Sequence, residues 1–449
     1  MKVENINFLS RPGLRIPDSN IREMIIIFRG QTLRYNLGAL AMLSVTEARE
    51  RILSRFQPTA PETIRLTECA NRMLAVDIFA AHDLPPFDNS SMDGFAIRSA
   101  DSAAVTGGSS LTLSVVADIA AGSAPTATLG AGQAARIMTG APMPAGADAV
   151  IPVEETDFNN RAAGQSAPQQ VTINRVVRVG ENVRPRGMDL HAGDVVLKKG
   201  HNLRPQELGL LAMLGIGQVQ VHKKPRIALL STGDELLEVD EPLTTGKIHD
   251  ANSYALGALI QSAGAEVSPL GIARDTRKSV EDLLQQAADA QVDLIISSAG
   301  VSVGAFDFVK EVIELNGQLN FWKVNMRPGK PLAFGEYQSR PFIGLPGNPV
   351  SAFVGFEVFV RPVLEKLSGR LSGSRLTVKV RCGEEIESDG RESYLRATLH
   401  SEDGIPIAKL TGHQGSGNLL SLVQADALLI IPAGVKCVPV SQEVEAILL

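Results

Sequence analysis

The chain has few cysteines and few aromatic side chains. Only three of its 449 residues are cysteine, and Cys69, Cys382 and Cys437 lie far apart, without the short Cys or Cys/His spacing of a zinc site. Scattered thiols in odd number predict no disulfide framework, and a reducing cytoplasm fits them best. Because aromatic residues make up only 4%, the cores must be built mainly from Ala, Val, Leu and Ile.

A basic excess and long apolar runs are also missing. The formal net charge of -6 argues against a general nucleic-acid binder, which needs a dominant basic face. The apolar run from Met24 to Phe28 is too short to span a bilayer, and no small-residue cleavage site accompanies it, so we expect neither a membrane anchor nor a secretory signal. Met42 directly precedes the first clean helical pattern. Residues 1–41 are therefore predicted to be a disordered extension or one included in error.

The remaining chain divides into four pieces by its apolar periodicity. Helical spacing at 42–79 and 194–222 predicts a split framework domain, into which a β-rich domain, 80–193, is inserted. Strands and helices alternate over 223–372, which is typical of a parallel sheet covered by helices. Alternation over 373–449 predicts a small β-barrel or sandwich. The predicted fold class is thus α/β and multidomain.

Three cations fall within eight residues, at Lys323, Arg327 and Lys330, where Pro and Gly are expected to interrupt regular structure. Further on, Asn348-Pro349 suits an N-cap and the first position of a helix. The positive end of a helix dipole with cations nearby attracts phosphate or another oxyanion. The same residues would also serve a ligand-free turn into a helix, so this run alone leaves both interpretations open.

Loops that follow the predicted strands of the α/β piece carry polar clusters, and such loops form the ligand crevice of an open parallel sheet. The loop from Gly300 to Gly304 suits either a phosphate cradle or a tight turn. Carboxylates in these loops suit Mg²⁺, whereas each one alone suits a helix N-cap or first turn. They are Asp234, Glu235, Asp275 and Asp307.

In the β-rich piece, charged loops are turns by default. Asp93-Gly94 is typical of a hairpin turn, and Arg184 with Arg186 beside Asp189 could face an anion. The histidines, including His191, His249 and His413, show no metal-like grouping and are interpreted as structural or surface residues.

Several of these runs, in this order, resemble the MoeA family of molybdopterin molybdenumtransferases, which is related to the gephyrin E domain. The resemblance extends from about Met42 to the C-terminus. The runs are Asp-Asn-Ser-Ser-Met-Asp-Gly at 88–94, Met-Thr-Gly-Ala-Pro at 138–142, Ser-Thr-Gly-Asp-Glu-Leu at 231–236, Gly-Val-Ser-Val-Gly at 300–304, Pro-Gly-Lys-Pro at 328–331, Pro-Gly-Asn-Pro-Val-Ser at 346–351 and Gly-His-Gln-Gly-Ser at 412–416.

The resemblance implies a four-domain homodimer with a MogA-like molybdopterin-binding α/β domain, an inserted β-rich domain, a framework domain and a C-terminal β-barrel. It implies that molybdate and adenylylated molybdopterin are substrates, that Mg²⁺ assists, and that AMP is released as molybdenum cofactor forms. Contacts with the molybdopterin adenylyltransferase and with molybdoenzyme apoproteins follow from that role, and no nucleic acid or membrane partner is implied. The apolar stretch from Val350 to Phe356 suits core packing, with a dimer contact as the alternative.

The resemblance also implies roles for particular residues. Anion and phosphate contacts fall to Lys323, Arg327, Lys330 and Ser351, and the molybdate pocket to Arg396 with Ser416. Ser302 and Gly304 lie in the loop that would hold phosphate. The four strand-end carboxylates would hold the cation or order the adenylyl phosphate. Residues of the β-rich domain would complete the site of the other subunit: Asp93, Thr139, Arg184 and Asp189.

Two departures from the family pattern affect the site. Ala299 stands before Gly300 where relatives often have a second glycine, and it would be strained if the position needs a positive φ. Arg327 stands where many relatives have Lys, which changes the contact geometry while keeping the charge. A molybdopterin adenylyltransferase and a gephyrin-like scaffold are the alternative functions.

Overall fold

The computed structural model describes residues 23–28, 31–36, 42–106, 109–159, 165–299, 308–371, 373 and 375–449. The chain forms two compact units, of which the first combines the chain up to Thr59 with Lys224–Leu449 and the second is Ala60–Lys223. The predicted domain boundaries at 41, 79, 193, 222 and 372 are finer than this division and stay a prediction.

The first unit opens with two antiparallel strands, β1 (Glu23–Phe28) and β2 (Gln31–Asn36), and with helix α1 (Val45–Leu53). The rest of the predicted extension 1–41 lies outside the described residues. Helix α1 begins with a capping box: Glu47 N donates to Ser44 Oγ at 3.1 Å, and Ser44 N donates to Glu47 Oε2 at 3.0 Å. These bonds satisfy two backbone donors at the helix start and explain why the helix begins where the pattern predicts.

The second unit contains mostly strands. Its elements are β3 (Pro61–Arg65), β4 (Ile78–Phe79), β5 (Asn89–Ser90), β6 (Gly94–Ile97), β7 (Leu111–Ile119), β8 (Gln133–Ile137), β9 (Ala149–Pro152), β10 (Gln170–Ile173), β11 (Val183–Arg184), β12 (Val195–Leu197), helix α2 (Pro205–Met213) and β13 (Gln218–His222), with short 3₁₀ helices at Leu66–Glu68, Ser99–Ala104 and Val153–Glu155. One five-stranded sheet, ordered β10-β7-β8-β6-β9, holds its centre. The β-rich prediction for this part of the chain is thereby confirmed.

The predicted hairpin turn at Asp93-Gly94 is wrong. Gly94 is the first residue of β6, and β6 pairs with β8 and β9 rather than with the preceding strand. A Cβ atom at Gly94 would lie 2.0 Å from the carbonyl oxygen of Ile151. Glycine is therefore required because two backbones approach closely, not because a turn needs it.

The first unit continues as an α/β sheet. Its elements are β14 (Arg226–Thr232), β15 (Leu236–Leu237), β16 (Ile248–His249), α3 (Ala251–Ser262), β17 (Glu266–Ala273), α4 (Arg277–Asp289), β18 (Leu294–Ser298), α5 (Phe308–Asn316), β19 (Gly317–Lys323), β20 (Met326–Arg327), β21 (Pro331–Tyr337), β22 (Arg340–Leu345), α6 (Pro349–Gly355), a π-helical segment Phe356–Val360 and α7 (Arg361–Leu367). The sheet order is β17-β14-β18-β22-β21-β19, in which the first four strands are parallel and the last two antiparallel.

Helices cover both faces of this sheet, as the alternating pattern predicts. On one face, Ile227 and Leu229 of β14 share a core with α1, α3 and α6. On the other face, Ala228 and Leu230 pack with α4 and α5. The antiparallel edge was not predicted: regular structure was expected to be interrupted from Lys323 to Lys330, but Lys323 belongs to β19 and Arg327 to β20. The stretch Val350–Phe356 is largely buried in the first of these cores.

The C-terminal part is a closed barrel. Its elements are β23 (Thr377–Cys382), β24 (Ile386–Glu387), β25 (Glu392–Glu402), β26 (Ile405–Leu410), α8 (Leu420–Val423), β27 (Ala427–Ile431), β28 (Cys437–Val438) and β29 (Glu443–Leu448). Strands β25, β26, β23, β29 and β27 pair in that order, and β27 pairs with β25 to close the ring. The short β20 adds to β25 in parallel. The predicted barrel is confirmed.

Candidate active site

A cleft of about 420 Å³ lies at the carboxyl ends of the parallel strands, where the sequence predicts the ligand crevice. It is lined by the ends of β14 and β18, the starts of α3 and α6, and the first residue of β21. The lining residues are Thr232, Glu235, Leu236, Ile248, His249, Asp250, Ala251, Asn252, Ser298, Ala299, Pro331, Pro346, Gly347, Asn348 and Pro349.

Asn252, which the sequence did not single out, links the start of α3 to the end of β18 and to the segment before α6. Its Nδ2 donates to Ser298 Oγ at 2.6 Å and to the Gly347 carbonyl oxygen at 2.8 Å. The neighbouring Asp250 is buried and caps α3 by accepting from Ser253 N at 3.1 Å. Asp-Ala-Asn-Ser is a capping pattern, which was the available signal. His249 also lines the cleft, and its Nε2 lies 2.9 Å from the Glu241 carbonyl oxygen.

The strand-end carboxylates Asp234 and Asp275 lie side by side. Asp275 N donates to Asp234 Oδ1 at 3.1 Å, and Asp234 N donates to Asp275 Oδ2 at 3.4 Å. Burial, together with the charges of Asp234 and Glu235, raises the pKa of Asp275 above its ordinary value. Among the residues that the structure describes, no three His, Cys, Asp or Glu side chains form a metal-binding group. The fourth predicted carboxylate, Asp307, lies outside the described residues, as do Ser302 and Gly304.

Ala299 adopts a positive φ of 74°. This confirms the expected strain, because a Cβ atom clashes with the backbone in the left-handed region. A methyl group on Gly347 would meet Ala299 Cβ at 3.1 Å. The end of β18 and the entry to α6 therefore pack closely at the cleft.

The three predicted cations lie on different elements. Lys323 ends the edge strand β19 of the α/β sheet, whereas Arg327 belongs to β20, which joins the barrel through Ser393. Lys330 is exposed just before β21. The run nevertheless passes the start of α6, since a methyl group on Gly329 would lie 3.5 Å from the Ser351 carbonyl oxygen. The run therefore meets the helix start at Gly329, whereas Lys323 and Arg327 belong to strands and not to the irregular stretch that was expected.

Arg396 is fully buried in the barrel. Its Nε donates to Ser421 Oγ at 3.0 Å and its Nη2 to the Gly415 carbonyl oxygen at 3.1 Å, while Nη1 has no hydrogen-bond partner within the described part of the chain. Burial and then the charge of Arg327 lower the pKa of Arg396 to about 10. The side chain is thus a cation at neutral pH, held by neutral groups and beside a second cation.

The loop that carries Ser416 is attached to the start of α6. Val350 N donates to the Ser416 carbonyl oxygen at 3.0 Å, and Ser351 is buried one residue further on. The structure therefore brings together four predicted anion contacts within the first unit: Arg327, Ser351, Arg396 and Ser416.

The predicted residues of the second unit form two local pairs. Thr139 donates to Asp93 Oδ1 through its backbone N at 2.8 Å and through Oγ1 at 2.7 Å. Arg184 Nη2 donates to Asp189 Oδ2 at 2.7 Å, and both side chains are nearly half exposed. Each pair holds one acidic side chain by hydrogen bonds within the second unit.

Three family models cover most of the chain. Residues 43–215 match the MoeA N-terminal region (domain I and II), residues 228–366 match a "Probable molybdopterin binding domain", and residues 379–449 match the MoeA C-terminal region (domain IV). An α/β sheet with a cleft at the ends of its parallel strands, followed by a closed barrel and matched by these three models, defines a multidomain α/β protein of molybdenum cofactor biosynthesis.

The chain belongs to the MoeA family. It is 40% identical over 380 residues to the molybdopterin molybdenumtransferase of Nostoc sp., which covers 83% of this chain and 85% of the relative. The molybdopterin molybdenumtransferase of Haemophilus influenzae is 38% identical, with 87% and 94% covered. The crystal structure of a molybdopterin biosynthesis MoeA protein from Pyrococcus horikosii superposes with a TM-score of 0.76 at 31% identity, covering 91% of this chain and 99% of that one.

These findings confirm the predicted family, the fold class, the role in molybdenum cofactor biosynthesis and the classification as a transferase. No helix in the described ranges is long and apolar enough to cross a membrane.

Proposed function

We propose that this chain transfers molybdenum from molybdate to adenylylated molybdopterin and that AMP is released as molybdenum cofactor forms. The observation that carries the proposal is the buried Arg396 guanidinium, whose Nη1 has no partner among the described residues. A buried cation without a counter-charge is unfavourable unless an anion compensates it. Molybdate is a doubly charged tetrahedral oxyanion and would supply that charge.

The remaining cations suit the rest of the substrate. Arg327 lies close enough to Arg396 to lower its pKa, so an anion between the two guanidinium groups would relieve their repulsion. Lys323 and Lys330 are exposed on the same run, where they could contact the pyrophosphate of adenylylated molybdopterin. Ser351 and Ser416 would add hydrogen bonds at the start of α6, and Ser302 and Gly304, in the sequence between β18 and α5, would add theirs.

The carboxylates at the strand ends are the candidate ligands for a divalent cation. Burial first, and then the charges of Asp234 and Glu235, raise the pKa of Asp275. A bound cation would favour the ionised carboxylate against both effects. We propose that Asp234, Glu235, Asp275 and Asp307 hold Mg²⁺, which when bound would neutralise charge on the adenylyl phosphate. In this proposal Asp275 must be ionised, and the backbone N–H groups of Asp234 and Asp275 keep the two carboxylates in place.

The main test mixes purified protein with adenylylated molybdopterin, Mg²⁺ and molybdate. AMP release and reconstitution of an apo-molybdoenzyme are measured together, and both must depend on molybdate. Arg396→Gln should abolish this dependence, whereas Arg381→Gln, the same change on β23 of the barrel, should not. Molybdate-independent AMP release by the wild-type protein would contradict the proposal, and consumption of ATP with free molybdopterin would favour the adenylyltransferase alternative.

We further propose that the protein is a homodimer and that Asp93, Thr139, Arg184 and Asp189 complete the site of the other subunit. Co-expression of Asp93→Asn with Asp275→Asn tests this directly. If the site is shared between subunits, half of the dimers are mixed and each has one intact site, so about a quarter of the wild-type activity returns. A mixture as inactive as either variant would show that both residues act within one chain.

A further inference from the structure

The backbone of Arg396 is bonded to the loop that follows β26. Gln414 Oε1 accepts from Arg396 N at 3.0 Å, and Gln414 Nε2 donates to the Arg396 carbonyl oxygen at 3.1 Å. One amide side chain therefore takes both backbone polar groups of Arg396. Because its Nε2 also donates to the Gly412 carbonyl oxygen at 3.2 Å, the loop 412–416 is fastened to the strand that carries the guanidinium.

Ser421 holds the other end of the side chain. The Ser421 hydroxyl is fully buried, accepts from Arg396 Nε at 3.0 Å and donates to the Asn418 carbonyl oxygen at 2.6 Å. A hydroxyl has one proton, so donation to Asn418 directs its lone pairs towards the guanidinium. The orientation of the planar group is then set, because Nη2 is simultaneously bonded to the Gly415 carbonyl oxygen at 3.1 Å.

We propose that Ser421 and Gln414 are positioning residues for oxyanion binding: they fix Arg396 so that Nη1, which has no partner among the described residues, can donate to the ligand. The inference rests on the proposed function and deepens it. Without Ser421 the planar guanidinium would turn about the Cδ–Nε bond and lose the geometry that a tetrahedral oxyanion requires. A neutral partner also leaves the full positive charge for the ligand, which a carboxylate at the same place would not.

Four variants separate positioning from folding. Ser421→Ala removes the hydroxyl, Ser421→Thr retains it, Gln414→Ala releases the loop, and Thr398→Val removes a hydroxyl elsewhere on β25 as the matched control. AMP release is measured against molybdate concentration at saturating adenylylated molybdopterin. Ser421→Ala should raise the KM for molybdate about tenfold and Gln414→Ala about threefold, with kcat within twofold, which corresponds to the loss of one hydrogen bond to a charged group. Ser421→Thr and Thr398→Val should stay within twofold of wild type.

A second measurement is direct binding of molybdate alone by calorimetry, which needs no turnover. Ser421→Ala should weaken binding tenfold while Ser421→Thr restores it. Unchanged binding in Ser421→Ala and Gln414→Ala beside a strong loss in Arg396→Gln overturns the positioning role and leaves the proposed function intact. Unchanged molybdate binding in Arg396→Gln overturns the oxyanion pocket itself. If Ser421→Ala does not fold, Gln414→Ala and its selective effect on KM still decide the question.

Discussion

Arg327 Nη1 lies 3.9 Å from Asp389 Oδ2, at the junction of β20 with the barrel. Asp389 is also paired with Arg391, whose hydrogen bond, together with the smaller effect of Arg327, holds the pKa of Asp389 below its ordinary value. Asp389 therefore remains an anion at neutral pH and competes with any oxyanion for Arg327.

Asp389→Asn is predicted to strengthen molybdate binding. Removing a negative charge near the pocket should lower the KM for molybdate by about three- to tenfold, as expected for two charges several ångströms apart in a partly hydrated site. Steady-state AMP release at varied molybdate measures it, with Asp403→Asn, the same change at an exposed turn of the barrel, as control. A higher KM would mean instead that Asp389 orients Arg327 productively.

Asp275→Asn is predicted to separate stability from activity. The pKa of Asp275 is raised, so its ionised form is less stable in the folded protein than in the unfolded chain, and its contribution to stability falls as pH rises through the unfolded value towards neutrality. Without added metal, the variant should therefore have the same or a slightly higher melting temperature at pH 7. In the presence of Mg²⁺, its AMP release should fall at least about a hundredfold.

The raised pKa of Asp275 also predicts that Mg²⁺ binding depends on pH. Protons compete with Mg²⁺ for Asp275, so the KM for Mg²⁺ should begin to rise on acidification at a higher pH than an ordinary aspartate would give. Asp282→Asn on the exposed face of α4 is the matched control and should change neither the melting temperature nor the KM for Mg²⁺. A large loss of melting temperature in Asp275→Asn would assign that carboxylate to folding.

Ala299→Gly is predicted to stabilise the protein. Relief of the positive φ of 74° contributes about 1 kcal/mol, part of which is lost to the greater freedom of glycine in the unfolded chain. The measurement is the urea midpoint. Ala288→Gly within α4 is the control, and its stability should fall by up to about 1 kcal/mol. A destabilised Ala299→Gly would indicate that the Ala299 methyl group packs favourably against the entry to α6.

Glu357→Gln is predicted to destabilise the first unit by about 3 kcal/mol. Glu357 is buried in the π-helical segment and accepts from Arg361 Nε at 2.6 Å and from Arg375 Nη2 at 2.7 Å. Burial alone would raise its pKa, but hydrogen bonds from Arg375 and Arg361 bring the pKa below the ordinary value. The variant leaves two cations short of a counter-charge in and beside the core.

Urea unfolding compared with Glu314→Gln measures this effect. Glu314 is exposed in α5, 4.0 Å from Lys310, and its loss should cost less than about 0.5 kcal/mol. Equal midpoints for the two variants would show that the buried cluster adds nothing to stability.

Regular periodicity made much of the fold predictable. The alternation over 223–372 predicted a parallel sheet covered by helices, and elements such as α4 (Arg277–Asp289) and β18 (Leu294–Ser298) follow it. Gly94 could not be interpreted correctly because its requirement comes from Ile151, which is far away in sequence. The antiparallel edge at β19 was missed because the Pro-Gly run before its partner strand β21 suggested irregular structure.

The site was predictable only where charge and motif coincide. Arg396 and Ser416 came from the family resemblance, and in the structure the side chain of Arg396 on β25 contacts Gly415, the neighbour of Ser416. Gln414 lies in the run 412–416 and Asn252 in a capping pattern, but neither signal gives the residue a role, and nothing in the spacing of Ser421 separates it from a surface residue. Their importance comes from what they hold, which requires the tertiary contacts to be known.

The change of sheet between Lys323 and Arg327 has a mechanical consequence. Lys323 ends a strand of the α/β sheet and Arg327 begins pairing with the barrel only four positions later. A small rotation of the barrel against the sheet would therefore change the spacing of these two proposed ligand contacts. The separation between Lys323 and Arg327 would then report the angle between the barrel and the sheet. Distances between spin labels on the sheet and the barrel, measured with and without molybdate, would detect such a rotation.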